Sequence, residues 1–524
     1  MINSISRCLN LIPKFKPSSS IPVSIQNKIN NYLQNPLQFQ NKCRLIFPSM
    51  KEDIYAGRIC RHQSPYNNTN NAYTYVETGK HSLENGLDNY ATIKEEWNNY
   101  SLDDRLNIFL KAADLIENDY YEDMLATTIM GQNKNIYEAE IDAICELVDF
   151  IRFNVDYMKQ ITERQPISLE DVKNESIYNP LNGFVAAITP FNFTAIGCNL
   201  ASLPLMMGNV VFWKPSDNAL LSNKLFYNIL IEAGLPKGVL NFVPMDPEVF
   251  LNTIIKRPDL GGILFTGSSH VFDNIYRSVG NNIHIYDNYP RLVGETGGKN
   301  FHFIDEDVDD ILPYVIDKTF ESAYNYSGQK CSSCSRVYLP RRLWEDFRLG
   351  MIERIKNMKG NYGVINNDAY NRINNIINKI MDNPNMTLEY GGNNNSDGSY
   401  YIEPCIVLCK DPNEFVFNEE FFAPICAVYL YDDIDKAMEI CKTASKYALT
   451  GAIFSDNEEW IKKGKQYFRY SVGNLYVNDK STGAVVGQQP FGGSGKSGTN
   501  DKAGDINMLY RMINQMNIKN QIIN

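Results

Sequence analysis

GFVAAITPFNFTAIGCNLASLPLMMGNVVFWKPSDNALLSNKLFYNILIEAGLPKGVLNFV, residues 183–243, alternates short apolar runs with longer helical stretches. GFVAAIT (183–189) predicts a strand, 194–207 a helix, NVVFWK (209–214) a second strand, 219–233 a second helix and VLNFV (239–243) a third strand. The alternation continues through a helix over 250–255, the strand GGILF (261–265), a helix over 270–279 and the strand RLVGE (291–295). Short apolar runs alternating with helices mean parallel strands joined by crossover helices. The expected architecture is α/β, a doubly wound nucleotide-binding sheet with its ligand at the carboxyl ends of the strands.

Those strand ends carry the candidate chemistry. No Gly-x-Gly-x-x-Gly fingerprint follows the first strand, so an ordinary dinucleotide site has no motif behind it. Instead, Lys214, Pro215 and Ser216 follow the second strand, and Thr266, Gly267 and Ser268 open a helix after GGILF. A small-residue turn into a helix offers free N–H groups to a phosphate, and Lys214 can donate to ribose hydroxyls; either segment also reads as a plain turn. Asn192, just past the first strand, either aims its amide at a developing oxyanion or caps the next helix, and the residues alone do not choose.

Outward from the sheet, 291–336 holds GETGGKN (294–300) and SGQKCSSCSR (327–336), which pair a strand-end carboxylate, Glu295, with a loop thiol, Cys331. A thiol near its free pKa of about 8.5 is only slightly ionised at neutral pH, so covalent work by Cys331 needs a base or an electropositive setting. Gly297 and Gly298 let the backbone pass close to a ligand. Cys331 and Cys334 also spell C-x-x-C, a redox pair or half a zinc site, but there is no second C-x-x-C and no suitably spaced histidine. A nucleophilic Cys331 beside a structural Cys334 is the better reading, and no metal is expected.

Before the sheet, Leu106, Phe109, Leu110, Ala113 and Ile116 mark one helix, and Ile144, Leu147, Val148, Ile151 and Val155 mark another over 136–158. Glu140 falls on or beside that second apolar stripe, either as an acid favoured near a helix start or as a functional group. Residues 66–100, rich in Asn and Tyr, predict surface strands and loops, and 165–182 predicts an excursion from the core. Beyond 336 a second α/β pattern runs to about 480, and the amphipathic tail 508–524 suits packing on a partner subunit.

A chain of 524 residues suggests two to four domains, and its net charge of −11 argues against a nucleic-acid partner. Eleven scattered cysteines fit reduced thiols in an intracellular compartment better than a disulfide framework. The most apolar stretch, 195–213, is interrupted by Asn199, Pro204, Gly208 and Asn209, so no membrane insertion is expected. Residues 1–51 contain no Asp or Glu but include Arg7, Lys14, Lys16, Lys28, Lys42, Arg44 and Lys51 with serines at 18–20, a pattern that resembles an organellar transit peptide. Removal of roughly the first 25 residues and a mitochondrial matrix location are expected.

PFNF (190–193), WKPSD (213–217), FTGS (265–268), GETGGKN (294–300), GQKC (328–331), EEFFAP (419–424) and GQQPFGG (487–493) occur in the order found in aldehyde dehydrogenases. AEIDAICELVDFIRFN (139–154) and NDKSTGAVVGQQPFGG (478–493) are similar to the Δ1-pyrroline-5-carboxylate dehydrogenase branch of that family. The resemblance spans about 40–515 and implies an aldehyde dehydrogenase-like fold: an NAD-binding domain from 40–165 and 187–296, a catalytic domain from 297–490, and a small β oligomerisation element from 166–186 and 500–524.

It further implies Cys331 as nucleophile, Asn192 with the Cys331 N–H as oxyanion holders, and Glu295 as the base for thioester hydrolysis. Lys214 and Ser216 would contact the adenosine ribose of NAD, Thr266, Gly267 and Ser268 its pyrophosphate, and Glu420 and Phe422 its nicotinamide end. Phe193 and Phe491 would sandwich the aliphatic chain of glutamate γ-semialdehyde. Ser332, Lys330, Gly483 and Ala484 would hold its α-carboxylate, with Glu140 helping to place it. A homodimer or higher homo-oligomer is implied. Ala423 stands where the family usually has Gly, and Ser216 where many NAD-preferring members have Glu. A semialdehyde of another chain length, or a catalytically silent structural role, are the competing expectations.

Overall fold

The computed structural model describes residues 9–34, 58–358 and 363–523. Its first sheet is built from β1 (Phe184–Ile188), β2 (Val211–Lys214), β3 (Leu240–Phe242), β4 (Leu260–Thr266) and β5 (Arg291–Glu295). All neighbours are parallel and the spatial order is β3-β2-β1-β4-β5, so the order reverses beside β1. Ligands of such sheets lie in the crevice at that reversal.

Alternation along β1 explains the layering. Val185 and Ala187 join one core with the helices Thr194–Met206 and Leu220–Ala233, while Phe184 and Ala186 join another with Phe250, Ile254, Phe272 and Ile275. A strand buried on both faces has to be apolar throughout, which is how GFVAAIT reads.

Four residues after β5 the chain enters a second sheet of β6 (Asn300–Ile304), β7 (Cys334–Pro340), β8 (Met386–Tyr390), β9 (Cys405–Cys409), β10 (Ile425–Tyr431), β11 (Thr450–Phe454) and β12 (Asn474–Val477). The order is β8-β9-β10-β7-β6-β11-β12, parallel except for the edge pair β8 and β9. Glu295 therefore ends one sheet and Asn300 begins the other. The expected excursion is the strand Val172–Pro180, paired antiparallel along its whole length with the C-terminal strand Ile513–Gln521.

Two expectations differ from the structure. Residues 59–76 do form a hairpin, Ile59–Gln63 with Asn71–Val76, but Lys80–Asn98 is a helix rather than strand or loop. Leu83, Leu87, Tyr90 and Trp97 form its buried face, which intervening Asn residues and a Gly79 start without a side-chain cap conceal. The second predicted helix contains a π-turn, Ile141–Glu146, between Ile136–Glu140 and Leu147–Glu163.

At the amino terminus, residues 1–8 of the expected leader lie outside the described residues, but 9–34 are packed on the body of the protein. The helix Val23–Gln34 buries Ile25 and Ile29 and contacts the helix Tyr121–Gln132, with Lys28 2.9 Å from Asp123. No helix among the described residues is long and apolar enough to cross a membrane.

Candidate active site

Between the two sheets, Tyr326 (φ 53°), Ser327 (φ 53°) and Gly328 (φ 68°) stand consecutively in the left-handed region, an arrangement that costs free energy at the two non-glycine positions. The turn is held because Tyr326 donates its hydroxyl to the Gln132 carbonyl at 2.8 Å and Gln329 accepts the Ile365 N–H at 2.9 Å. Gly328 faces the Ala423 carbonyl so closely that a Cβ would sit 2.2 Å from it. This turn delivers Cys331, half-buried, to the site, followed by buried Ser332, Ser333 and Cys334.

GETGGKN meets that loop directly. Gly298 lies against the Cys331 carbonyl, where a Cβ would be 2.3 Å away, and Asn300 Nδ2 donates to the same carbonyl at 2.7 Å and to Ser333 at 2.8 Å. Asn192 Nδ2 donates to the Gln329 carbonyl at 3.1 Å. One of its two amide hydrogens is thereby placed, and among the described residues the other has no hydrogen-bond partner. Asn192 does not cap the next helix: Thr194 and Ala195 give their N–H groups to Asp142 at 2.9 and 2.8 Å.

Glu295 receives the Gly493 N–H at 3.4 Å, and a Cβ on Gly492 would come within 2.7 Å of its carboxylate. Burial raises its pKa well above the usual carboxylate range, against the lowering effect of the Gly493 contact and Lys502. Burial, then the charges of Glu295 and Glu420, hold the Cys331 thiol well above its ordinary value. The lone acid and lone thiol of the sequence thus share one field.

On the nucleotide side, Lys214 ends β2, buried, 3.7 Å from Asp217, with its pKa lowered by burial. Ser216 and Ser268 both act first as helix caps, their hydroxyls accepting from Asn218 and Val271 at 3.4 Å. Thr266 ends β4, and the Gly267 N–H goes to the Glu295 carbonyl at 3.1 Å. The first turn of the helix Ser269–Asn281 leaves N–H groups without intrahelical partners, a setting that suits a pyrophosphate. Glu420 accepts the Gly298 N–H at 2.8 Å and is pushed up to about 7 by burial. Phe422 has φ 53° and meets Phe191 edge to face at 5.8 Å.

The wall that carries Phe193 and Lys330 is more charged than the sequence suggests. Lys134 is buried in an ion pair with Asp142, its Nζ 4.1 Å from the Phe193 ring centre and 4.9 Å from that of Tyr326. Lys330 has its pKa lowered by burial, with Glu138 and Glu146 opposing that shift. Glu146 itself is pushed up to about 8, by burial and then Asp142, with Lys134 and Lys330 opposing.

Glu140 is engaged by the amino-terminal segment. It is buried as its place on the stripe implies, but its carboxylate takes the N–H groups of Lys14 and Phe15, both at 2.8 Å, and the Tyr121 hydroxyl. Glu138 and, at the last position of the π-turn, Glu146 are the carboxylates whose charges act on Lys330. Glu140 and Glu146 both lie in AEIDAICELVDF.

Ser332 bonds through its carbonyl, which accepts from Ser481 Oγ at 3.2 Å and Thr450 Oγ1 at 3.3 Å. Ser481 also meets Ser322 at 2.8 Å and His302 at 3.2 Å, a buried network that ties loop 481–491 to the nucleophile loop. Gly483 (φ 86°) and Ala484 follow two and three residues later, and Phe491 closes the loop through paired backbone bonds with Ala503. His302 and Ser481 had no sequence signal beyond their motifs.

The profile of the aldehyde dehydrogenase family matches residues 58–518. Delta-1-pyrroline-5-carboxylate dehydrogenase, mitochondrial, of Mus musculus is 40% identical over 481 residues, covering 89% of this chain and 85% of that protein. The protein of the same name from Dictyostelium discoideum is 41% identical over 464 residues, 86% of this chain and 83% of its own. Among solved structures, the Delta-pyrroline-5-carboxylate dehydrogenase from Mycobacterium tuberculosis bound with NAD superposes with a TM-score of 0.89 at 33% identity, covering 100% of this chain and 98% of that one. The 1-pyrroline-5-carboxylate dehydrogenase from Thermus with bound NAD gives 0.85 at 26% identity, covering 97% and 100%.

Proposed function

The chain belongs to the aldehyde dehydrogenase family, and from that premise we propose that it oxidises L-glutamate γ-semialdehyde, the open form of 1-pyrroline-5-carboxylate, to L-glutamate with NAD, the second step of proline catabolism. The observation that carries this reading is the meeting of the nucleophile loop with the GETGGKN turn, Gly298 and Asn300 both on the Cys331 carbonyl. The relatives' names support the substrate, and the charged wall of Lys134, Glu146 and Lys330 suits a zwitterionic one.

The Cys331 thiol gives up its proton to water as Sγ bonds to the aldehyde carbon, and the carbonyl oxygen becomes an alkoxide held by the Asn192 side-chain N–H and the Cys331 backbone N–H. Donors placed for a developing oxyanion are each worth roughly a hundred- to thousandfold in rate. NAD, when bound, would supply the acceptor for the hydride on the thiohemiacetal carbon. Glu295 then takes a proton from water as it attacks the thioester, releasing glutamate and the thiol. A carboxylate in an apolar pocket is a stronger base than one in water.

Lys214 and Ser216 would hold the adenosine ribose, Thr266, Gly267, Ser268 and the 269–281 helix start the pyrophosphate, and Glu420 and Phe422 the nicotinamide end. Phe193 and Phe491 would flank the substrate chain, with Ser332, Lys330 and the N–H groups of Gly483 and Ala484 on its carboxylate. The cofactor domain is assigned to 40–165 and 187–296 and the catalytic domain to 297–490. An arm from 166–186 and 500–524 would join a homodimer or larger homo-oligomer in the mitochondrial matrix. The exposed apolar Met516, Ile518 and Ile522 on that arm support the oligomer, and the mitochondrial names of the eukaryotic relatives support the location.

Purified protein given 1-pyrroline-5-carboxylate and NAD, with NADP in parallel, tests the reading. Growth of absorbance at the reduced-nicotinamide band is expected. A folded sample that leaves NAD unreduced sinks it.

A further inference from the structure

We infer that residues 10–15 form a strap that positions the substrate loop 481–491, so that any leader removed from this chain ends before Asn10. The inference rests on the reading of that loop as the holder of the substrate carboxylate.

The loop is fixed at its ends, by the Ser481 network at one and the Phe491–Ala503 backbone pair at the other. Its middle is a turn closed on itself, with the N–H groups of Gln488 and Gln489 on the Val485 carbonyl at 3.0 Å and the Val485 N–H on Gln489 Oε1 at 3.0 Å. Among the described residues, the hydrogen bonds that reach Val486 and Gln488 from outside the loop come from Asn10. Its Nδ2 donates to the Val486 carbonyl at 2.8 Å, and its Oδ1 accepts from Gln488 Nε2 at 2.7 Å.

Asn10 is itself anchored. Its amide also donates to Asp149 at 2.8 Å, the Leu11 N–H donates to the other Asp149 oxygen at 3.1 Å, and the N–H groups of Lys14 and Phe15 close on Glu140. Leu11 and Phe15 pack on the main core, and Lys14 Nζ sits 4.1 Å from the Tyr121 ring centre. Glu140 and Asp149 stand on either side of the π-turn that carries Glu146. Six residues thus tie together two walls of the substrate side, the π-turn and the carboxylate loop. Cleavage near residue 25 would leave two buried carboxylates without these donors, and an unsatisfied buried acceptor is destabilising.

Hydrogen exchange on full-length Asn10→Ala, checked for native folding by circular dichroism, gives a readout independent of activity. The amides of 485–489 are expected to exchange about tenfold faster, the loss of a hydrogen-bond pair, with Ser481 and Phe491 unchanged. KM for the semialdehyde should rise about tenfold with kcat held, while kcat/KM for propanal, which has no carboxylate, stays level. Unchanged exchange at 485–489 overturns the strap. Faster exchange with an unchanged KM overturns the link to substrate, and equal losses for both aldehydes do the same. A native chain that cannot oxidise the semialdehyde fails the functional reading instead, leaving the exchange result to decide the strap. Intact mass of the protein from its own cells should show an amino terminus at or before Asn10; a terminus beyond Phe15 overturns that half.

Discussion

The Asn300 amide donates to the Cys331 carbonyl at 2.7 Å, so the first residue of the second sheet fixes the backbone of the candidate nucleophile. The same side chain bonds Ser333 and accepts the Thr450 N–H at 3.0 Å, crossing from β6 to β11. Asn300→Ala removes three side-chain bonds to the backbone, two of them buried, and a buried group left unsatisfied costs about 1–3 kcal/mol. A loss of several kcal/mol in urea unfolding, with kcat down about a hundredfold, is expected from a nucleophile no longer held in place.

The raised pKa of Glu295 sets a pH signature. As base it works only when ionised, so deacylation should rise with pH through a midpoint above the ordinary carboxylate range, and Glu295→Gln should abolish that limb along with most of kcat. Stability has the opposite slope. The folded state holds the proton more tightly than the unfolded chain, so stability falls as pH rises from the unfolded carboxyl value of about 4.3 through the folded one. Melting temperatures should converge at low pH and favour Glu295→Gln at high pH; parallel curves would count against the buried, raised carboxyl.

Gly298→Ala places a methyl 2.3 Å from the Cys331 carbonyl and 2.7 Å from Asn300 Oδ1, so the turn and the nucleophile loop have to separate. A shift of about 1 Å at a reacting centre can cost about a hundredfold. Turnover should drop by that order while titration with a thiol reagent still detects Cys331. Normal kcat would mean the two loops are not coupled.

Lys134→Met removes the cation from a pair whose side chains are 1% and 0% exposed. Breaking such a pair from one side costs about 3–5 kcal/mol. Lys134→Met with Asp142→Asn should recover part of the loss in chemical unfolding, though Asp142 also caps the helix that begins at Thr194. The Phe193 ring loses its overlying charge in both variants, so KM for the semialdehyde should rise in each.

The five strands of the first sheet were legible because each is buried on both faces and bounded by Gly or Pro, and the ends of those strands pointed to Lys214, Thr266 and Glu295. The meeting of Glu295 with Cys331 was legible only as a pairing of types; the contact is made by Gly298 and Asn300, whose side-chain chemistry carries no such signal. Lys80–Asn98 was missed because scattered Asn residues lowered its apolar contrast, although its buried face has ordinary helical spacing. Glu140 was legible as a carboxylate on the buried stripe, but its partners, the N–H groups of Lys14 and Phe15, carry no side-chain signal. Docking of 10–15 escaped for a different reason: the bonds are made by backbone N–H groups and one Asn, to partners far away in the chain.

That distance governs the order in which the molecule can be completed. Asn10 and Val486 are 476 positions apart, so a ribosome adding about 5–20 residues per second takes roughly 25–95 s between them. Throughout that interval Asp149 and Glu140 can already have their strap, since all those residues emerge early, while the loop it is to hold has not yet been made. The amino-terminal segment can therefore be docked before the loop it holds exists, and the Asn10 contacts to Val486 and Gln488 close only once the carboxyl-terminal part of the chain is in place.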